Sequence, residues 1–296
     1  MTSLGDAALD ALTSAGLDPV EVERIVLAAL HEDLVLGPDL TTEATVPAGA
    51  TATADVVARE AGTVAGVAVA LAVLDAGGFP LRSSHVLRHD GEGVSPGDAV
   101  LRLTGPLAPL LTCERTMLNL LTHLSGIATL TRRWVDEVAG TGAVIRDTRK
   151  TMPGLRHVEK YAVRCGGGAN HRMALGDAAL VKDNHVAAAG GIAAAVLAVR
   201  TRARHVDLEV ECDTIEQVRE AIDAGVALVL LDNMTTSEMR EAVALARSAP
   251  GTRLEASGGL SLARAREVAD TGVTYLSVGA LTHSAPSLDL GLDIRG

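Results

Sequence analysis

Apolar residues recur with helical spacing from about residue 18 to 31, where Val22, Ile25, Val26, Ala29 and Leu30 fall on one side. From 51 to 104 the period changes. Short β-rich runs at 53–58 and 100–103 are separated by turn residues, densest at Gly91, Gly93, Pro96, Gly97 and Asp98. The pattern predicts an α+β module over roughly the first 110 residues. A long helical stretch follows, from about 112 to 138, with Leu118, Leu121, Leu124 and Ile127 at its apolar positions. Beyond it, short apolar runs at 143–145, 178–181, 206–210, 228–231, 253–256 and 275–278 alternate with Ala-rich helical stretches at 192–200, 215–224, 237–246 and 262–270. Strands alternating with helices predict parallel βα units. Successive crossovers make a barrel the simplest closure, and six strands leave it incomplete. A doubly wound open sheet is the alternative.

The carboxyl ends of these six runs are polar. They read Asp147-Thr148-Arg149-Lys150, Lys182-Asp183-Asn184-His185, Glu209 and Glu211, Asp232-Asn233, Ser257-Gly258-Gly259, and Gly279-Ala280. In parallel α/β barrels ligands sit at that face. Glu209 and Glu211 are two apart, so both point the same way from their strand. Glycines at the last two strand ends suit a phosphate site, which barrels commonly build from their final loops.

Composition sharpens this picture. The chain carries 26 basic residues, of which only Lys150, Lys160 and Lys182 are lysines, all inside one short stretch. Lysine is a compact point charge where arginine is a planar fork, so a site gripping an oxygen from one direction can need lysine. Lys160 falls on a helix and is the lysine expected to accept arginine almost silently. Residues 145–172 hold seven cationic side chains against Asp147 and Glu159, in a chain of net charge −11. An acidic body is a poor partner for nucleic acid or anionic membranes, while a local cationic focus suits a small, highly charged anion. Gly166, Gly167 and Gly168, with Asn170, His171 and Arg172 behind them, are expected to let backbone and donors approach that anion.

No run of 18 apolar residues and no secretory signal is evident. Cys113, Cys165 and Cys212 stand far apart, which argues against a disulfide framework or structural zinc and fits a cytoplasmic setting. His85 and His89 have helical spacing in a turn-rich segment and are expected at the surface. Neither GxGxxG after a strand nor GxxxxGK[ST] is present, which disfavours dinucleotide and Walker-type sites.

The blocks HEDLVLGPDLTTEATVP, ERTMLNLLTHLSGIAT, IRDTRKTMPGLR, EKYAVRCGGGANHR, LVKDNHV, EVECD, LLDNM, EASGGL and VGALTHS occur in this order. Together they resemble the quinolinate phosphoribosyltransferase family, also called nicotinate-nucleotide pyrophosphorylase (carboxylating). The resemblance spans essentially the whole chain. Departures at Pro38, Met152, Cys165 and Met173 touch no residue assigned to chemistry. The resemblance implies an α/β fold: an incomplete parallel α/β barrel over 118–285 and an N-terminal α+β open-sandwich domain over 1–117, with the tail 286–296 packing back on it. It also implies that quinolinate and phosphoribosyl pyrophosphate (PRPP) give nicotinate mononucleotide, pyrophosphate and CO2 with Mg2+. Thr148, Arg149, His171, Arg172 and Lys182 then bind substrate, with quinolinate held by Arg149, His171, Arg172 and Lys182. Arg115 reaches in from the partner of a homodimer or larger assembly. Lys150, Glu211 and Asp232 bind or orient ribose, pyrophosphate and metal, the last two as metal ligands, and with Lys182 they are the implied catalytic residues. Ser257, Gly258, Gly259 and Gly279 take the 5′-phosphate. Three other readings stand beside this one: a paralogous pyrophosphorylase-like protein linked to molybdenum transport, a barrel aldolase or isomerase acting on a sugar phosphate, and a non-catalytic binding protein.

Overall fold

The computed structural model describes residues 3–295. Contacts divide the chain into two units. One comprises the segment up to Arg132, Thr151–Gly167 and the segment from Leu281 on; the other comprises Arg133–Lys150 and Gly168–Ala280.

The first unit opens with helices α1 (Asp6–Ser14), α2 (Pro19–Leu34) and α3 (Leu40–Thr45). α2 starts where its sequence says it should. The Asp18 carboxylate accepts from the Val20 N–H at 3.0 Å and Pro19 occupies the first turn, where a missing N–H costs nothing. Val22, Ile25, Val26 and Leu30 form its buried stripe. An antiparallel sheet follows from β1 (Thr51–Ala58), β3 (Ser84–Val86) and β5 (Ala99–Pro106), while β2 (Gly62–Thr63) and β4 (Gly93–Val94) form a separate two-stranded pair and α4 (Val67–Ala76) follows β2 in sequence. His85 and His89 are exposed, and neither joins a cluster of potential metal ligands. The chain's last strand, β12 (Leu290–Ile294), pairs with the outer side of β1, Ala54 opposite Ile294 and Ala58 opposite Leu290. Buried Asp55 on β1 accepts from Arg102 (2.8 and 3.1 Å) and Arg295 (2.7 Å), tying the tail to the sheet. α5 (Leu107–Glu137) runs without interruption past residue 117 and buries Leu110, Met117, Leu121, Leu124 and Ile127.

α6 (Arg156–Cys165) also belongs to this unit and overturns one expectation. Lys160 lies on it as foreseen, but its side chain is fully buried, next to buried Glu159. Glu159 is itself held by His123 Nε2 (2.9 Å) and the Met152 N–H (3.0 Å). A helix with charged residues on several sides does not announce which side will be covered. The glycine triplet is corrected too. A Cβ on Gly166 would meet the Ala128 carbonyl oxygen at 2.5 Å and Thr131 Cβ at 2.6 Å, so this glycine lets α6 end against α5. Gly167 has φ +88°, a turn conformation that favours glycine.

The second unit is a six-stranded parallel sheet, β6 (Val144–Arg146), β7 (Ala178–Val181), β8 (Asp207–Cys212), β9 (Leu228–Asp232), β10 (Arg253–Ser257) and β11 (Tyr275–Ser277), in the order β6-β11-β10-β9-β8-β7. All six strands were legible as apolar runs. Each consecutive pair from β7 to β11 is hydrogen-bonded, β6 docks on β11, and no ladder joins β6 to β7, so the barrel is open at that seam. Part of the seam is filled by the segment before β7. Ala169 N–H donates to Ile145 O (2.8 Å) and Asp147 N–H to Ala169 O (3.2 Å). α7 (Asp183–Ala189), α8 (Ile192–Arg202), α9 (Ile215–Asp223), α10 (Thr236–Ala246) and α11 (Ala265–Ala269) connect the strands, and α12 (Ala280–His283) follows β11. T-x-x-Q and T-x-x-E in sequence become reciprocal caps. Thr214 and Gln217 open α9, and Thr235 and Glu238 open α10.

The register assigns each strand two chemically different faces. Leu180 pairs with Glu209, Glu211 with Leu230, Leu230 with Glu255, and Arg146 with Ser277. Positions of that parity carry Arg146, Thr148, Lys182, Glu209, Glu211, Asp232, Glu255, Ser257 and Ser277. The opposite parity is apolar and buried, with Ile145, Val210, Val229, Leu231, Leu254 and Leu276. Alternation thus sends one aliphatic face outward under the helices and turns the polar positions, with Leu180 and Leu230 among them, into the lumen.

Candidate active site

A cavity of about 340 Å3 opens at the carboxyl ends of the strands. Thr148, Arg149, Lys150, His171, Arg172, Lys182, Glu211, Asp232 and Ser257 line it together with Leu180, Leu230, Glu255 and Ser277. Nine of the residues singled out in the sequence therefore converge within the second unit. Gly258 and Gly259 line an adjoining hollow of about 200 Å3 with Asn233, Ser261 and Arg264. A Cβ on Gly258 would sit 2.2 Å from Asn233 Oδ1 and its φ is +83°, so no other residue fits that turn. Gly279 follows β11 and is half-buried. Gly166 and Gly167 belong to the first unit and line neither space. Arg115 is exposed on α5, in the first unit. A larger open groove of about 540 Å3 lies on that unit, but Asp39 and Glu43 are its only charged lining residues, so it offers no cation to an anionic ligand.

Each candidate side chain is aimed by local structure. Lys182 follows β7, where its N–H donates to His185 Nδ1 at 3.0 Å and so starts α7. His185 of the KDNH block is thereby a helix cap. The Lys182 ammonium is hydrogen-bonded to Glu211 Oε2 from β8. Asp232 ends β9, and its Oδ2 accepts from Asn233 Nδ2 at 2.7 Å. Asn233 turns the chain with φ 53° and donates its N–H to Ser257 O at 3.0 Å. Thr148 Oγ1 accepts from the Lys150 N–H at 3.0 Å, curling the end of β6. Fully buried Asp147 anchors the next segment: its carboxylate accepts from Asn170 Nδ2 and from the His171 N–H (2.9 Å). Arg172 then reaches Ala178 O through Nη1 at 2.9 Å. Burial, followed by the neighbouring Arg149, lowers its affinity for its proton.

At the floor of the cavity the lumen holds a network that sequence reading caught only in part. Glu255, fully buried on β10, accepts from Arg146 through Oε2 and from Ser277 through Oε1. His171 Nε2 lies 2.8 Å from Glu209 Oε2 and 3.5 Å from Glu255 Oε1. Burial pushes the Glu209 carboxyl up to about 7, against the pull of Arg146 and Arg172. Burial and then Glu209 push Glu255 up as well. The alternation used for Glu209 and Glu211 would also have found Glu255 two before Ser257, Arg146 two before Thr148 and Ser277 two before Gly279. These three were missed because their strands read as apolar runs. His171, Glu209 and Glu255 lie close enough to consider as cation ligands. Arg146 and Ser277 already occupy Glu255, however, so the group reads as a hydrogen-bonded network.

Two family models cover nearly the whole chain: the quinolinate phosphoribosyl transferase N-terminal domain over residues 39–125 and its C-terminal domain over 127–293. The chain is 53% identical over 269 residues to the nicotinate-nucleotide pyrophosphorylase [carboxylating] of Mycobacterium leprae, covering 90% of this chain and 94% of that one. It is 40% identical to the probable enzyme of the same name from Bacillus subtilis, covering 94% and 95%. Among solved structures, NadC from Streptococcus pyogenes superposes with a TM-score of 0.88 at 38% identity, covering 95% of this chain and 99% of that one. The nicotinate-nucleotide pyrophosphorylase from Francisella tularensis gives 0.85 at 35% identity, covering 93% and 96%.

Proposed function

Because the chain belongs to the quinolinate phosphoribosyltransferase family, we propose that its barrel cavity transfers the phosphoribosyl group of PRPP to quinolinate with decarboxylation, giving nicotinate mononucleotide, pyrophosphate and CO2 in NAD biosynthesis. The observation that carries this reading is the meeting of Arg149, Lys150, Arg172 and Lys182 with Glu211 and Asp232 around one space. Four cations suit two polyanionic substrates; two carboxylates on adjacent strands suit a metal among them.

Arg149, Arg172, Lys182 and the His171 loop hold quinolinate, and Thr148 borders the same pocket. Lys150 meets PRPP. Ser257, Gly258, Gly259 and Gly279 receive the 5′-phosphate at the ends of the last two strands. The pyridine nitrogen attacks the anomeric carbon as pyrophosphate leaves. The resulting pyridinium stabilises the electron pair left at C2 when that carboxylate departs as CO2, and a proton takes its place. The protein's tasks are orientation and charge stabilisation, without a covalent enzyme intermediate. Glu211 and Asp232 offer hard oxygen ligands with room for waters and substrate oxygens, a donor set that fits Mg2+. Magnesium held there would neutralise charge on the departing pyrophosphate. Lys182, already hydrogen-bonded to Glu211, would orient that carboxylate.

We further place Arg115 in a neighbouring subunit's site, which its exposure on α5 supports, so that the working unit is at least a homodimer. The setting we propose is cytoplasmic. Cys113 and Cys212 are buried, and burial pushes the three free thiols up to about 11 to 12, as inert reduced cysteines require. No helix of the described residues is long and apolar enough to cross a membrane.

The deciding assay supplies purified protein with quinolinate, PRPP and Mg2+ and identifies the products. Nicotinate mononucleotide and CO2 are expected, with nicotinate a far poorer substrate, because a pocket built for two carboxylates leaves donors unpaired against one. Equal use of nicotinate overturns the assignment. Borohydride trapping of a ketose phosphate on Lys182 would instead indicate the aldolase reading.

A further inference from the structure

The ring of His171 has both nitrogens committed to the protein. Nδ1 lies 2.7 Å from the Arg172 backbone nitrogen, whose hydrogen can only be donated. Nδ1 is therefore the acceptor and carries no proton. With Nδ1 accepting, a neutral ring carries its proton on Nε2, and Nε2 lies 2.8 Å from Glu209 Oε2. A second proton on Nδ1 would set two N–H groups against each other at 2.7 Å. The groups around the ring are Glu209 on β8, Glu255 on β10, Arg146 on β6, Asp147 just beyond it, and the adjacent Arg172. Glu255 is already shared between Arg146 and Ser277, leaving Glu209 as the nearer acceptor for Nε2. Glu209 is only 4% exposed, and its Oε1 has no hydrogen-bond partner among the described residues. A buried carboxyl with spare acceptor capacity, beside a ring that lines the substrate cavity, is placed to orient that ring.

We propose that Glu209 is a positioning residue of the quinolinate pocket: it holds His171 as the neutral Nε2–H tautomer, so the ring shapes the pocket and positive charge toward the dicarboxylate is left to Arg149, Arg172 and Lys182. This deepens the functional reading above and rests on it for the identity of the ligand. The effect reaches Arg172 as well, because the bond that sets the tautomer is made by the Arg172 N–H itself. Loss of Glu209 frees the ring and relaxes the backbone that carries the Arg172 guanidinium.

The test has two arms. Side-chain 15N spectra of the ligand-free protein, labelled in its nine histidines and assigned with His171→Asn, read the tautomer directly. A proton on Nε2 and none on Nδ1 is expected at neutral pH. A protonated Nδ1 there overturns the proposal whether or not quinolinate is the substrate, so this arm is independent of the functional reading. The second arm is kinetic. Glu209→Ala is expected to raise the KM for quinolinate about tenfold or more while the KM for PRPP stays within about twofold. Glu209→Gln, whose carbonyl still accepts from Nε2–H, is expected to stay within about threefold of wild type for quinolinate. Unchanged quinolinate KM in Glu209→Ala, or an equal rise for both substrates, overturns the positioning role. Should Glu209→Ala not fold, the glutamine variant and the spectra decide: a tenfold loss in the glutamine variant overturns it.

Discussion

The three lysines behave as three different residues once the chain is folded. Lys150 and Lys182 border the cavity; Lys160 is enclosed on α6. Lys150→Arg and Lys182→Arg are each expected to lower kcat/KM for phosphoribosyl transfer by roughly ten- to a hundredfold, because a longer planar fork displaces the oxygen that an ammonium meets. Steady-state kinetics on folded variants check this, and wild-type values would show that these lysines are incidental. Lys160→Arg acts on stability. Adding atoms at a fully buried position is expected to destabilise the fold by about 1–3 kcal/mol. Thermal unfolding reads it as a lowered Tm, while kcat of the remaining folded enzyme should change little. An unchanged Tm would mean that the interior around α6 yields to the larger side chain.

At the scale of elements, the clearest dependence on pH belongs to β1 and its two arginines. Hydrogen bonds from Arg102, followed by those from Arg295, hold the Asp55 carboxyl below its ordinary value of 3.8. A lowered folded-state value means that the unfolded chain binds the proton more readily. The stabilisation is therefore fully present above about pH 4 and is lost as pH falls through the lowered folded value. Asp55→Asn should cost about 1–2 kcal/mol near neutrality, the scale of hydrogen bonds to charged groups. The difference from wild type should shrink as both are titrated below about pH 3. Urea unfolding at the two pH values measures it. A constant difference would indicate a packing effect, independent of charge.

For the whole molecule, the open question is whether one chain completes its own site. Arg115→Ala and Lys182→Ala are each expected to be nearly inactive, and mixing them under subunit exchange separates the possibilities. If Arg115 serves a neighbour, a mixed dimer contains one site with both residues intact. Random pairing of equal amounts then recovers up to about a quarter of wild-type activity. No recovery, with exchange shown independently by mass, would put Arg115 in its own subunit's site or outside any site. A surface ion pair, the alternative role for Arg115, would be worth less than about 1 kcal/mol and would leave Arg115→Ala active.

Much of this protein is written locally. The six strands, the helices between them and the caps at Asp18, Thr214 and Thr235 follow from periodicity and turn chemistry, which act over a few residues. So does the polar ring at the strand ends, since parallel strands joined by helices bring successive carboxyl ends to one face. Side-chain burial and partner choice are different, because they depend on residues distant in sequence. Lys160 looks like a surface lysine until α6 is packed. Gly166 looks like an anion loop until the Ala128 carbonyl stands where its Cβ would be. Glu255, Arg146 and Ser277 lie 109 and 22 residues from the partners they bond across the lumen, a closeness that only the register of six strands supplies. Sequence alone nominated the candidates for the chemistry. Tertiary structure decided which of them meet, which groups surround His171, and which lysine is enclosed, because those are matters of distance and exclusion of water in the folded chain.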